Sequence, residues 1–190
     1  MVARNRAGFC TQEGRNAVTS PLRPLRTWPV AGAALLIAAL GTVSLARPRP
    51  LLIWNASASA PTGLYRVAAI GNPARGERVA ARLPAPWRAL AARRHYLPAN
   101  VPLIKRIAAI PGDMVCASGD RVTVNGDVAA LRLRRDGAGR PMPAWHGCRR
   151  LGAGDVLLLA AHPASFDGRY FGPSQRRDIL GKAHLIWRHP

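Results

Sequence analysis

The feature that most constrains this chain is a twenty-residue stretch without a charged side chain, which runs from Thr27 to Ala46. At about 1.5 Å per residue, a helix of this length matches a hydrocarbon core of roughly 30 Å. A buried helix of a soluble domain and a cleavable secretory signal are the alternatives. We favour a membrane anchor, because the stretch is longer than a usual signal core and Arg47 and Arg49 follow it at once.

The charges before this stretch indicate its orientation. Residues 1–27 contain several arginines against the single acid Glu13, and a basic head favours an N-terminus in the cytoplasm. The sequence therefore predicts three parts: a basic cytoplasmic segment over residues 1–27, a transmembrane helix over residues 28–46, and an exported domain over residues 47–190.

The net charge of +19 suits an anionic partner such as nucleic acid or a lipid surface. The arginines are spread along the chain and do not cluster on one recognition helix, which argues against nucleic-acid binding. Only two of the 28 basic residues are lysines, Lys105 and Lys182. A buried lysine can lose its proton whereas arginine stays charged, so either lysine could serve a site that arginine cannot; a plain surface position is the alternative.

Beyond Pro50, short apolar stretches alternate with turn residues, which predicts a mainly β domain built from antiparallel sheet. Asn125-Gly126 lies between two alternating stretches and predicts a hairpin over residues 122–128 with a type I′ turn. A loop is expected over residues 134–150, and a short helix or surface excursion over residues 86–96. The other predicted strands cover residues 51–54, 63–70, 77–83, 101–110, 155–160 and 179–187.

Two segments carry residues suited to nucleophilic chemistry. The first contains Ser57 and Ser59, just before a turn that Pro and Gly would fix. The second places Lys105 inside an apolar strand, where alternation puts Leu103, Ile107 and Ala109 on the same face. Such surroundings would desolvate the ammonium and lower its pKa, as a lysine general base requires.

Three motifs follow one another behind the uncharged stretch. They are Ser-x-Pro-x-Gly-x-Tyr from Ser59, Lys-Arg-Ile from Lys105 with Pro-Gly-Asp close behind, and Asp-Gly-Arg-Tyr-Phe-Gly-Pro from Asp167. Their order resembles that of the type I signal peptidases, and in particular the conjugative-transfer TraF peptidases, which mature pilins. The resemblance covers about residues 50–188 and implies an antiparallel β-sheet domain of the signal peptidase type behind one N-terminal transmembrane helix.

The resemblance also implies roles for individual residues. Ser59 stands in the place of the nucleophile and Lys105 in that of the neutral lysine base. The oxyanion hole would combine the backbone N–H of Ser59 with the hydroxyl of Ser57. Asp167 and Arg169 match a pair that braces the site, although a purely structural ion pair is the alternative. No cofactor or metal is expected.

The implied substrate is a pilin or another exported precursor protein, cleaved on the periplasmic face of a bacterial inner membrane. Membrane lipid and other proteins of a conjugation apparatus are the further partners expected, and aminolysis that closes a pilin into a ring is an option. One departure is Ala60, where leader peptidases have methionine and a turn longer by one residue, so their substrate rules do not transfer. The alternatives are a non-catalytic basic scaffold of a conjugation or secretion apparatus and a membrane-tethered nucleic-acid binder.

Cysteine and histidine chemistry is less well supported. No Gly-x-Ser-x-Gly elbow accompanies the five histidines, and Cys10, Cys116 and Cys148 lack the Cys-x-x-Cys spacing of a zinc site. Cys116 and Cys148 both follow the uncharged stretch, so they are expected to form a disulfide in an oxidising compartment. Two buried free thiols are the alternative.

Overall fold

A computed structural model describes residues 28–45 and 51–189 of the chain. The chain divides after Arg47 into two compact units. In the first unit, Trp28–Leu45 forms helix α1, which carries no charged residue. Judged by length and hydropathy, none of the helices within these described ranges suffices to cross a bilayer. The transmembrane helix over residues 28–46 stays a prediction.

The second unit is mainly β structure with two antiparallel sheets. Its strands are β1 (Leu52–Asn55), β2 (Gly63–Ala68), β3 (Arg78–Ala81), β4 (Leu103–Ala109), β5 (Met114–Ser118), β6 (Arg121–Val124), β7 (Asp127–Leu131), β8 (Gly147–Arg150), β9 (Asp155–Leu159), β10 (Ser174–Gln175) and β11 (Ile179–Arg188). Its helices are α2 (Ala85–Arg93), α3 (Gly168–Phe171) and a 3₁₀ turn over Arg176–Asp178.

The larger sheet has seven strands in the order β1-β2-β11-β3-β4-β9-β10, and the smaller has four in the order β7-β6-β5-β8. Strand β4 lies centrally in the larger sheet, with β3 on one side and β9 on the other. Apolar side chains of these three strands and of β11 form a shared core, in which each fully buried aliphatic group contributes about 1.5–3 kcal/mol. Its members are Val79, Ala81, Ile107, Val156, Leu158 and Ile179.

Most predicted elements are confirmed, with ends that shift by a few residues. The Asn125-Gly126 hairpin is present, and both residues have the positive φ that a type I′ turn requires. The prediction of a loop over residues 134–150 is wrong at its C-terminal end, where Gly147–Arg150 forms strand β8 and pairs with β5. The sequence does not predict strand β5.

The topology gathers the three motif-bearing segments. The serine segment links β1 to β2, Lys105 lies on β4, and Asp167 precedes α3 after a loop that follows β9. Gly168 allows that loop to approach the sheet, since a Cβ there would lie 2.8 Å from both the carbonyl oxygen of Leu158 and a methyl carbon of Leu157.

Candidate active site

The segment after β1 is organised around the side chain of Asn55, which is buried. Its amide nitrogen donates to the carbonyl oxygens of Ser57, Ala60 and Pro61, at 2.9, 3.0 and 3.2 Å. Its Oδ1 accepts from the backbone N–H of Ser57 at 3.3 Å and from the Ser57 hydroxyl at 2.9 Å. One buried amide therefore fixes the backbone on both sides of Ser59.

The hydroxyls of Ser57 and Ser59 lie 2.8 Å apart. A serine hydroxyl has one hydrogen, and that of Ser57 goes to Asn55, whose Oδ1 can only accept. Ser59 is therefore the donor to Ser57. In this arrangement Ser57 holds the hydroxyl of Ser59 by a hydrogen bond, and Asn55 in turn holds the hydroxyl of Ser57.

Lys105 is almost completely buried, with 3% of its surface exposed. Burial lowers the pKa of its amine to about 8; the carboxylate of Asp167 opposes this shift and the guanidinium of Arg169 adds to it. Its Nζ donates a hydrogen bond to the hydroxyl of Ser165, which is also buried. The amine of Lys105 therefore gives up its proton more readily than that of an exposed lysine.

Ser59 and Lys105 both line one cleft of about 650 Å³. Within residues 51–189 no hydrogen bond joins their side chains; Ser59 donates to Ser57, and Lys105 donates to Ser165. Catalytic hydrogen bonds are often absent or long before substrate binds, so this geometry is compatible with a resting site. Most of the remaining lining is apolar, including Leu97, Leu103, Leu133, Met142, Phe166 and Tyr170.

Asp167 and Arg169 form a buried ion pair, with 2.8 Å between Oδ1 and Nε. Asp167 also accepts from the backbone N–H groups of Ala160 and Arg169, the second of which caps α3. Arg169 donates to the carbonyl oxygens of Leu131 and Pro163, both at 3.1 Å. The pair holds the loop that carries Ser165 against the end of β9 and against β7.

The sequence alone assigns no role to Ser165 or Asn55. Ser165 lies two residues before Asp167, but nothing local indicates that it meets Lys105, since 60 residues separate them. Asn55 lies at the end of an apolar strand, directly before the serine segment. An amide at that position is the sequence feature that could have indicated its role. That role arises only in the folded chain, where the backbone from Ser57 to Pro61 brings three carbonyl oxygens to the Asn55 amide.

Cys116 and Cys148 form a disulfide in this structure, with Cα atoms 4.0 Å apart. They stand opposite each other on β5 and β8 of the smaller sheet. Cys10 lies outside the described residues. Among the residues described, no three His, Cys, Asp or Glu side chains are grouped so that they could hold a metal ion.

The sequence matches the family described as signal peptidase, peptidase S26, over residues 25–188. A probable conjugal transfer protein TraF of Sinorhizobium fredii is 38% identical over 81% of this chain and 86% of its own length. A plasmid transfer protein TraF of Escherichia coli is 42% identical over 40% of this chain, and the match spans 46% of that protein.

A signal peptidase I from Enterococcus faecalis, known from its crystal structure, aligns at 19% identity with a TM-score of 0.35, over 60% of this chain and 98% of its own. The family match extends over most of the chain and includes all three motifs. The S. fredii relative likewise aligns along most of both proteins. The chain therefore belongs to the signal peptidase family, peptidase S26, and has conjugal transfer TraF proteins among its relatives.

Proposed function

We propose that this protein is a serine endopeptidase that uses Ser59 as nucleophile and Lys105 as general base. The observation that carries the proposal is the burial of Lys105, with its lowered pKa, in the cleft that Ser59 also lines. A scaffold has no use for a desolvated lysine at that place, whereas a general base needs a pKa close to the working pH.

The mechanism follows from the atoms present. Neutral Lys105 takes the hydroxyl proton of Ser59 as the Ser59 oxygen attacks the scissile carbonyl carbon. The Ser59 N–H donates to the oxyanion, and the Ser57 hydroxyl does so once its single hydrogen turns from Asn55 Oδ1 to that oxygen. Losing one such donor typically costs about 2.7–4 kcal/mol of barrier. The ammonium of Lys105 then protonates the leaving amine, and an acyl-enzyme remains on Ser59.

The acyl-enzyme is released when a second nucleophile attacks its ester carbonyl. Lys105, neutral again, takes a proton from water and a free acid forms, or it takes one from an amine and a new peptide bond forms. In both cases the proton returns to the Ser59 oxygen. The two routes differ by one water molecule in the mass of the product.

We propose that the substrate is an exported precursor, in particular a conjugative pilin. Two observations support this: the membership in the signal peptidase family and the TraF relatives named for conjugal and plasmid transfer. The proposed location is the periplasmic face of a bacterial inner membrane, with residues 28–46 as anchor and other conjugation proteins nearby. External protease should digest the catalytic unit in spheroplasts but not in intact cells, and the protein should be recovered in the membrane fraction. Protection in spheroplasts would contradict this topology.

The test of the chemistry is the processing of a labelled conjugative pilin precursor by the purified full-length protein, followed by mass measurement of the product. Ser59→Ala and Lys105→Ala should each abolish processing, and Lys105→Arg should do the same because arginine cannot give up its proton. Lys182→Ala is the matched control, since Lys182 is the other lysine and is bound to Glu77. Processing by Ser59→Ala or Lys105→Arg at the wild-type rate would refute the dyad, and a wild-type protein that does not process the precursor would favour a non-catalytic scaffold.

A further inference from the structure

A second, smaller pocket meets the cleft at Ser59. It has a volume of about 270 Å³ and shares Ala58, Ser59 and Lys105 with the cleft. Its character differs, because two arginines, Arg78 and Arg106, line it. A polypeptide that places its scissile bond at Ser59 can therefore extend into an apolar cleft and into a basic pocket.

The two arginines are held directly opposite each other, Arg78 on β3 and Arg106 on β4. Like charges at directly opposed positions of an antiparallel pair destabilise the sheet. In the part of the chain that the structure describes, neither arginine forms an ion pair. Arg106 donates to the carbonyl oxygen of Gly76 at 3.2 Å, and the Arg78 guanidinium lies over the ring of Tyr65 at 5.8 Å.

The carboxylates that form ion pairs are bound to cations other than Arg78 and Arg106. Each of the five ion pairs among the described residues joins an acid to a different cation, and Glu77, the neighbour of Arg78, is bound to Lys182. The repulsion between Arg78 and Arg106 is thus left without an internal counter-charge beside the nucleophile. Both arginines line the same pocket, and the fixed fork of guanidinium donors suits the oxygens of a carboxylate.

We propose that Arg78 and Arg106 form a subsite that binds a carboxylate of the substrate close to the scissile bond. The inference rests on the proposed peptidase function and adds a substrate class, namely precursors with an acidic group a short distance from the cleaved bond. The carboxylate can come from an Asp or Glu side chain or from a free C-terminus near the cleavage site. Both sources offer the same chemistry to the arginines.

The experiment measures binding separately from cleavage. Full-length Ser59→Ala protein in detergent is titrated into dye-labelled alanine-rich peptides, and affinity is read from fluorescence anisotropy. One peptide pair differs by Glu against Gln with an amidated end, and a second pair differs by a free against an amidated C-terminus. The acid should bind about 10- to 100-fold more tightly than its amide partner, the scale of a hydrogen bond to a charged group. The pair that shows the preference identifies the source.

Variants of the two arginines test whether the preference for acid over amide peptides arises in the basic pocket. Arg78→Gln and Arg106→Gln, each in the Ser59→Ala protein, should bring acid and amide peptides to the same affinity. Arg78→Glu should favour a peptide with Lys over one with Glu. Arg66→Gln is the matched control, because Arg66 is an exposed strand arginine that does not line the pocket. It should keep the preference.

Two results would overturn the subsite: equal affinities for acid and amide in both pairs, or an equal loss of preference in Arg66→Gln. Wild-type protein is assayed in parallel for cleavage of the pilin precursor. A preference for acids that depends on Arg78 and Arg106, without any cleavage, would refute the peptidase and leave the anion subsite. Cleavage by wild-type protein without such a preference would refute the subsite and leave the peptidase.

Discussion

The amine of Lys105 donates a hydrogen bond to the hydroxyl of Ser165, a residue 60 positions further along the chain. A neutral lysine has two N–H hydrogens and one lone pair. When one hydrogen is directed to Ser165, the rotation of the amine is restricted, and its lone pair can be held toward the cleft where Ser59 lies. Ser165 thereby has a positioning role for the proposed base.

Ser165→Ala should lower kcat by about 10- to 100-fold, because the amine loses the acceptor that orients it while burial still keeps its pKa low. Ser165→Thr, which keeps a hydroxyl, should recover much of the rate. Ser118→Ala is a matched control, since Ser118 is exposed on β5 in the other sheet. Steady-state kinetics on the pilin precursor measures the effect, and an unchanged kcat in Ser165→Ala would show that the contact is only structural.

The rate should follow the deprotonation of Lys105. Burial brings the pKa of this amine down to about 8. Only the neutral amine can act as base, so kcat/KM should rise about tenfold per pH unit below that pKa and level off above it. His162 also lines the cleft, and His162→Gln is therefore the informative control. Loss of the pH dependence in His162→Gln would contradict the assignment to Lys105.

Lys105 should also lower the stability of the fold. Its pKa is about 8 when folded and 10.5 when unfolded, so the unfolded chain binds more protons between these values. The cost of burying the charge is fully present below pH 8 and disappears as the pH rises to about 10.5. Lys105→Met should then raise the free energy of unfolding by up to about 3 kcal/mol at pH 7.

Chemical denaturation of Lys105→Met and wild-type protein over this pH range measures the difference. The difference in the free energy of unfolding between the two proteins should narrow as the pH rises, while Ser118→Ala, which removes no titratable group, should show no such trend. A Lys105→Met variant less stable than wild type at neutral pH would show that packing and the hydrogen bond to Ser165 outweigh the desolvation of the charge.

Features that depend on local sequence could be predicted, and features that depend on tertiary contacts could not. The burial of Lys105 could be predicted because its strand neighbours at period two are apolar, and the Asn125-Gly126 hairpin because its turn has a local conformational requirement. The contact with Ser165 could not be predicted, since it joins two distant segments through the tertiary fold. Strand β8 was missed because Gly147–Arg150 has no apolar alternation, and its strand form depends on pairing with β5.

Asn55 should act on the rate through Ser57. Asn55→Ala removes the acceptor of the Ser57 hydroxyl and the donor to three carbonyl oxygens, so the serine segment loses its fixed geometry. We expect kcat to fall about 10- to 100-fold, with a smaller change in KM. Asn55→Ala should lower kcat by a smaller factor in the Ser57→Ala protein than in wild-type protein, because the two residues are coupled.

Asn125→Ala serves as the control for Asn55, since Asn125 holds a surface hairpin by contacts to Met114 and Asp113. It should lower the melting temperature and leave kcat unchanged. Additive losses in the double variant of Asn55 and Ser57 would show that Asn55 stabilises the segment without acting through the Ser57 hydroxyl.

The last prediction concerns the disulfide between Cys116 and Cys148, which closes a loop with a sequence separation of 32. Strand β8 lies at the edge of the smaller sheet, all four of its residues are exposed, and it pairs with β5. Replacing both cysteines by serine should therefore lower the free energy of unfolding by about 3–4 kcal/mol in the chain-entropy model. Leu133 and Met142, within the closed loop, line the cleft, so KM should rise as this wall loosens.

The value of kcat should stay close to wild type, because Ser59 and Lys105 belong to segments of the larger sheet that the disulfide does not join. Urea denaturation with and without reductant measures the stability, and steady-state kinetics below the transition measures kcat and KM. Each single Cys→Ser variant should match the double variant and should no longer respond to reductant. If reductant frees both thiols of the wild-type protein and leaves its unfolding midpoint unchanged, the role assigned to the disulfide is wrong.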